Sequence, residues 1–394
     1  LRGEPIMARR AGALERAWKW TRRNPLAVAV CLAIGLAFAG GAALFGGRNS
    51  ESAPAPQPTA VPEVTTRPVL IETIPAGARG VMVPIDPETG APDASRRIRF
   101  PGVTPLEVQA PPARYLVVVE LPNHDFHEVS RTVPPLDESV PTIPIDTWSI
   151  ADGKVALNRI SIPSSAGLEQ GMARFDGGVF RAGSDKVPGS PAHERTLEPF
   201  WLDVTEVTWG QFRSAISRNR IVPNKHGFHD DDAMAFLNFA HARAFAESIG
   251  KRLPSEFEYE FAATNGGTTW YPWGDDSDKI EPWQLGAVKG AAYDVTLGQP
   301  PVFGLYSNVT EWTDSLLVSP TPMPPPPASF KRMIALGRVV RGGPTEIANG
   351  EGDTETKTLR TDFGPRWRQG MFMVTHNRGI GFRCARSVKP RYLD

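Results

Sequence analysis

The groups in this sequence that could bind a metal or act as nucleophiles are thiols, imidazoles and clustered carboxylates. There are two thiols, Cys31 and Cys384. Cys31 lies inside an apolar run, so no intrachain disulfide is expected and cysteine carries no compartment signal. His226-Gly-Phe-His229-Asp230-Asp231-Asp232 is the one local His/Asp cluster. It could bind a metal through His226, His229 and a carboxylate, but an acidic solvated loop accounts for the same residues more simply. His124 and His127 flank Asp125-Phe126 just after a strand-like run, and two solvated turn histidines are the simpler reading there. His193, His241 and His376 stand apart and read as structural or surface groups. Asp275-Asp276-Ser277-Asp278 is an oxygen-rich turn that could hold a hard cation or merely cap itself. Trp270, Tyr271, Trp273, Trp283 and Trp312 could stack on a sugar or peptide; in a chain short on regular structure, aromatics serve first as core.

One stretch sets the elements that must position these groups, the run from Leu237 to Ala263. Ala242, Phe245, Ala246 and Ile249 recur at helical spacing, which predicts one apolar helix face. Asn238 suits the N-cap and Gly250 the left-handed stop. Lys251 and Arg252 follow, where positive charge meets the C-terminal carbonyls. Pro254 forces an extended approach to a second helix that opens with a capping box, Ser255 and Glu258. Phe257 and Phe261 are expected to stack one turn apart, and Asn265-Gly266-Gly267 ends the element.

Residues 250–263, Gly-Lys-Arg-Leu-Pro-Ser-Glu-Phe-Glu-Tyr-Glu-Phe-Ala-Ala, resemble the signature of the sulfatase-modifying-factor family, whose best-known member is the formylglycine-generating enzyme. The likeness continues in order through Gly177–Ser184, Pro199–Thr208, Tyr271–Asp275, Phe303–Tyr306, Asn308–Trp312, Val340–Gly343 and Gly379–Arg386. The resemblance implies an α+β fold, an irregular C-type-lectin-like domain over residues 171–388. It also implies a test of chemistry. The formylglycine-generating enzyme oxidises a substrate cysteine with oxygen and copper held by two thiolates, since soft Cu(I) needs soft ligands. In the family those cysteines follow Arg-Gly-Gly. Here Arg341-Gly342-Gly343 is followed by Pro344 and a run to Asp353 without cysteine, and Cys384 falls where the family places a buried strand residue. No catalytic residues and no copper are therefore expected. Another branch of the family holds non-haem iron with histidines on an extra helical domain, which this sequence lacks. Family members also hold structural calcium near the Asn-x-x-Glu-Trp motif, and Asn308, Val309 (through its carbonyl) and Glu311 fall on the matching positions. The loop before Asn308 is shortened here to Ser307.

Lys+Arg and Asp+Glu are equal at 43 each, so no polyelectrolyte or nucleic-acid partner is implied. Residues 1–24 form a basic segment, and residues 25–47 carry no charge and suit a transmembrane helix. The cation bias places 1–24 in the cytoplasm and the remainder outside. A cleaved signal ending near Ala37-Phe38-Ala39 competes with the anchor, and either exports the C-terminal part. Leu1–Ile6 and Leu14–Pro25 resemble the juxtamembrane segment of planctomycete-type serine/threonine receptor kinases, which places a kinase upstream of Leu1. The chain itself has no Gly-rich loop, His-Arg-Asp or Asp-Phe-Gly. Residues 48–67 read as a Pro-rich linker. Residues 68–147 resemble a PEGA-type β-sandwich, residues 148–170 read as a second linker, and Ser319–Ser329 as an exposed polyproline insertion. These expectations describe a single-pass membrane protein with an exported domain that binds an extracytoplasmic ligand (peptide, glycan or small molecule), as the sensor end of a serine/threonine kinase. The alternatives are a metal-dependent, non-haem iron oxidoreductase using the His226/His229 loop, and a structural envelope protein.

Overall fold

The computed structural model describes residues 65–139, 141, 148–216, 228–280, 286–318, 337–342, 364–373, 375 and 379–394. The basic segment, the apolar run 25–47, most of the first linker, Cys31, His226, Trp283, the polyproline insertion, residues 343–353 and His376 lie outside them. Among the described residues no helix is long and apolar enough to cross a membrane.

The N-terminal module contains β1 (Arg67–Ile71), β2 (Thr73–Ile74), β3 (Arg79–Pro84), β4 (Ile98–Arg99), β5 (Leu106–Ala110), β6 (Ala113–Glu120), β7 (Phe126–Val133), β8 (Trp148–Ala151) and β9 (Lys154–Leu157). Two four-stranded sheets result, in the orders β5-β1-β9-β8 and β4-β3-β6-β7. They share one core, built from alternate residues such as Val69 and Ile71 of β1 and Tyr115, Val117 and Val119 of β6. The other face of β6 is also buried. Leu116 and Val118 pack with Val81, Val83 and Leu393, so the strand reads as an unbroken apolar run rather than an alternating one. Residues 148–157, expected in a linker, form β8 and β9 instead. β9 lies parallel to β1, with Val69 opposite Val155, and its Val155 and Leu157 complete the module's core. The sequence signal was weak because β8 and β9 are each only four residues long.

The second part contains β10 (Ile160–Ser161), β11 (Met172–Phe175), β12 (Gly178–Ala182), β13 (His193–Leu197), β14 (Phe200–Asp203), α1 (Trp209–Ile216), α2 (Phe239–Ser248), α3 (Glu256–Ala263), β15 (Thr310–Leu316), β16 (Gly337–Gly342), β17 (Gln369–Phe372), β18 (Ile380–Gly381) and β19 (Ala385–Ser387). Its sheets are short: β11-β14-β19, the hairpin β12-β13, and β17-β16-β15-β18. The helix signals hold. Asn238 accepts from the His241 amide, and Gly250 sits at φ +74° just past the end of α2. Both arms of the Ser255/Glu258 capping box are made. Phe257 and Phe261 do not stack on each other. Phe261 meets Phe175, Phe180 and Phe200 edge-on, whereas Phe257 lies under Arg195 and against His193. Positions four apart on a helix share a face, but α3 is wedged between different neighbours along its length.

The two parts are joined by buried polar contacts as well as by Leu393. Arg386 lies over the Phe126 ring at 4.2 Å and donates to the Phe126 carbonyl at 3.3 Å. His127, expected in a solvated turn, is buried within β7, with Nδ1 2.7 Å from the Ser161 carbonyl oxygen and Nε2 3.2 Å from that of Lys251.

Candidate functional site

The elbow between α2 and α3 threads its charges into the interior. Lys251 pairs with Asp203 at 2.7 Å, and Arg252 grips Glu258 through two bonds of 2.7 and 2.8 Å. On the next turn Glu256 and Glu260 both receive Arg341, each at 2.9 Å, and Arg341 is fully buried. Arg368 adds a second cation to Glu256. Burial pushes both carboxyls up, but Glu256, with Arg341 and Arg368 against it, ends below the usual range, whereas Glu260 stays above it. Gly342 takes φ +95°, and a side chain there would strike the Tyr259 hydroxyl. The residues that make the signature legible are thus a buried charge skeleton that fixes α3 against β16.

A second buried cluster surrounds the Asn308–Glu311 loop. Arg383, fully buried, donates to both oxygens of Glu311 at 2.7 and 2.8 Å and to the carbonyls of Phe303 and Gly304 at 2.9 and 3.1 Å. Burial alone would lower the Arg383 pKa; Glu311 and Glu206 raise it, so it remains protonated. The Tyr259 hydroxyl lies 3.1 Å from the Leu305 carbonyl and 3.2 Å from Glu311. The Asn308 Nδ2 donates to Glu206 at 3.0 Å while its Oδ1 accepts from the Gly286 amide at 3.0 Å. Glu206 Oε2 is buried without a hydrogen-bond partner, and burial pushes the carboxyl up to about 8.

This geometry tests the calcium expectation at Asn308, Val309 and Glu311, and the donor set does not fit the ion. Calcium needs several oxygens free to converge. Both Glu311 oxygens are taken by a guanidinium, Asn308 Oδ1 is turned to a backbone amide, and a divalent cation at Glu311 would face Arg383 directly. The Asp275–Asp278 turn caps itself: Asp275 accepts from the Trp270 amide, and Asp276 from Asp278.

The remaining sequence candidates separate. Asp230 pairs with Arg213, Asp232 accepts from the His229 amide at 2.7 Å, and His229 and Asp231 are exposed. Among the described residues no group of three or more His, Cys, Asp or Glu is placed to hold a metal. Tyr271 and Trp273 stack at 4.9 Å with Tyr306 edge-on, all three buried, whereas Trp312 packs on Phe239 in a different cluster. Glu206, Glu128 and the buried Asp294, which accepts from the Tyr306 and Ser307 amides at 2.8 and 2.6 Å, were missed. Each is an acid with apolar or aromatic neighbours in sequence, the one signal that could have flagged it as buried.

The thiol bears on the copper chemistry. Cys384 is 0 % exposed, its amide donates to Asp203 at 2.9 Å, and burial followed by the Asp203 charge drives its thiol well above the usual range. It is held as a neutral core residue, and no other cysteine follows Cys31.

Residues 161–388 match the sulfatase-modifying factor enzyme 1-like domain family. The chain belongs to that family. The sulfatase-modifying-factor-like domain is 28% identical over 303 residues to the inactive C-alpha-formylglycine-generating enzyme 2 of Bos taurus, covering 58% of this chain and 94% of that protein. It is 28% identical over 259 residues to the serine/threonine-protein kinase Pkn1 of Chlamydia trachomatis, covering 55% of this chain but only 38% of the kinase. The formylglycine-generating enzyme of Streptomyces coelicolor is 28% identical over 210 residues, 48% of this chain and 60% of that one. Among solved structures, PvdO from Pseudomonas aeruginosa aligns over 55% of this chain and 94% of its own at 18% identity, with a TM-score of 0.38.

Proposed function

We propose that this chain is a membrane-anchored protein whose exported sulfatase-modifying-factor-like domain is not an oxidase and serves to bind or sense a ligand, as the extracytoplasmic part of a serine/threonine kinase receptor. The observation that carries the first half is Cys384: a protonated, fully buried thiol with no second thiol in the domain offers no copper site. The similarity to an inactive formylglycine-generating enzyme supports the same half. The apolar run after a basic segment, and the similarity to a kinase that extends well beyond the matched region, support the second. The N-terminal module, PEGA-like in sequence, would act as a spacer fused to the binding domain.

The test has two arms. The full chain, supplied with copper and oxygen, is incubated with a cysteine-bearing substrate peptide; no aldehyde product is expected, and any turnover overturns the non-oxidase reading. Alkaline-phosphatase fusions at residues 24 and 394 then report topology. Activity only at 394 is expected, and activity at 24 alone overturns the exported domain.

A further inference from the structure

Where β7 and the adjacent end of β6 meet α2 and the elbow before α3, the surfaces leave a cavity of about 110 Å³. Arg114, Arg243, Arg252 and Arg391 line it. Three carboxylates stand against them, Glu128, Glu247 and Asp314. Including the groups just behind, Arg131 on Glu247 and Glu258 on Arg252, leaves the same excess of one positive charge. Arg114 is the group with spare capacity. Its Nε donates to Ser130 Oγ at 2.7 Å and its Nη2 pairs with Asp314, while Nη1 is buried without a partner. The Arg131 Nε behind the wall is likewise buried and unpartnered.

Each lining arginine has a carboxylate partner, but Arg252 and Arg391 share Glu128, so the wall keeps one excess positive charge. A bound anion would offset that excess charge. The cavity has room for several waters, since a water needs about 10–15 Å³ of such space. That admits a carboxylate or phosphate-sized group. A planar guanidinium fork is matched to such oxygens. We infer that the seam between the two modules binds a small oxyanion, held by the Arg114 guanidinium with Arg243, Arg252 and Arg391 around it. The site deepens the ligand-binding reading and rests on it. Because the ligand would touch β6, β7, α2 and the C-terminal tail together, it would lock the two modules in one arrangement.

The full chain, in a buffer free of chloride and phosphate, is titrated calorimetrically with phosphate, malonate and acetate. At least one should bind with unit stoichiometry and raise the melting temperature, and the preferred probe tells phosphate from carboxylate chemistry. Arg114→Gln should weaken that binding at least tenfold while unfolding stays cooperative. Asp314→Asn, which removes a competing carboxylate, should tighten it at least threefold. The site is overturned if no probe binds the wild type, if chloride at equal ionic strength acts as well, if R114Q binds as tightly, or if D314N weakens binding. The non-oxidase and exported-domain readings are judged separately, by peptide oxidation and by the phosphatase fusions. A chain that binds no oxyanion and oxidises no peptide loses only the seam site.

Discussion

Glu128 on β7 and Arg391 in the C-terminal tail are bound to each other by four hydrogen bonds, from the Arg391 amide at 3.1 Å, from Nε to both carboxylate oxygens at 3.0 Å, and from Nη2 at 2.7 Å. The same carboxylate accepts from Arg252 at 3.3 Å and Ser387 at 2.7 Å, so one acid from the N-terminal module ties together the elbow before α3, the last strand and the tail.

Removing that acid should loosen the seam. Burial would push the Glu128 carboxyl up, but Arg391 and Arg252 outweigh it and hold the pKa at about 2. A folded-state pKa below the unfolded one stabilises above the unfolded value and loses that stability as pH falls. Glu128→Ala should therefore cost about 3–5 kcal/mol at neutral pH, since it leaves Arg391 without its carboxylate and Arg252 with Glu258 alone. The difference from wild type should shrink as pH drops from 5 toward 2, as read from urea midpoints.

Glu206 should behave in the opposite sense. Its carboxyl is pushed up to about 8 by burial, only partly offset by Arg383. The folded chain then keeps a proton that the unfolded chain loses, so this group's contribution falls as pH rises from about 4.5 to 8 and is flat beyond. Glu206→Gln carries no such penalty. Its melting temperature relative to wild type should climb across that window. A constant offset would mean that Glu206 is ionised throughout.

Arg383 and Glu311 should show strong coupling. Arg383→Met alone strands a buried carboxylate and should cost about 3–5 kcal/mol, whereas pairing it with Glu311→Leu should recover most of that loss. A double-mutant cycle of chemical denaturation measures it; additive losses would mean the two residues act independently.

Cys384 should resist modification. With 0 % exposure and a thiol driven above its usual range, it should react with maleimide only after denaturation, as read by peptide mapping. Calcium and a chelator should give equal melting temperatures, because the Asn308 and Glu311 oxygens already have partners.

What the sequence determined by itself was local. Asn238, Gly250, Ser255 and Glu258 mark helix ends because capping is a matter of spacing along a few residues, and all four act as read. The missing thiol pair was equally plain, since a metal that needs two sulfurs cannot be held by one. Tertiary structure decided what depends on distant partners. β8 and β9 become strands because β1 offers a pairing edge about 85 residues upstream. Glu311 was legible as an acid in a motif, but whether its oxygens face a cation or a guanidinium depends on Arg383, 72 residues on. The seam, where Glu128 meets Arg391 across 263 residues, has no local signature at all, because two charges separated so far in the chain acquire a relation only when folding removes the water between them.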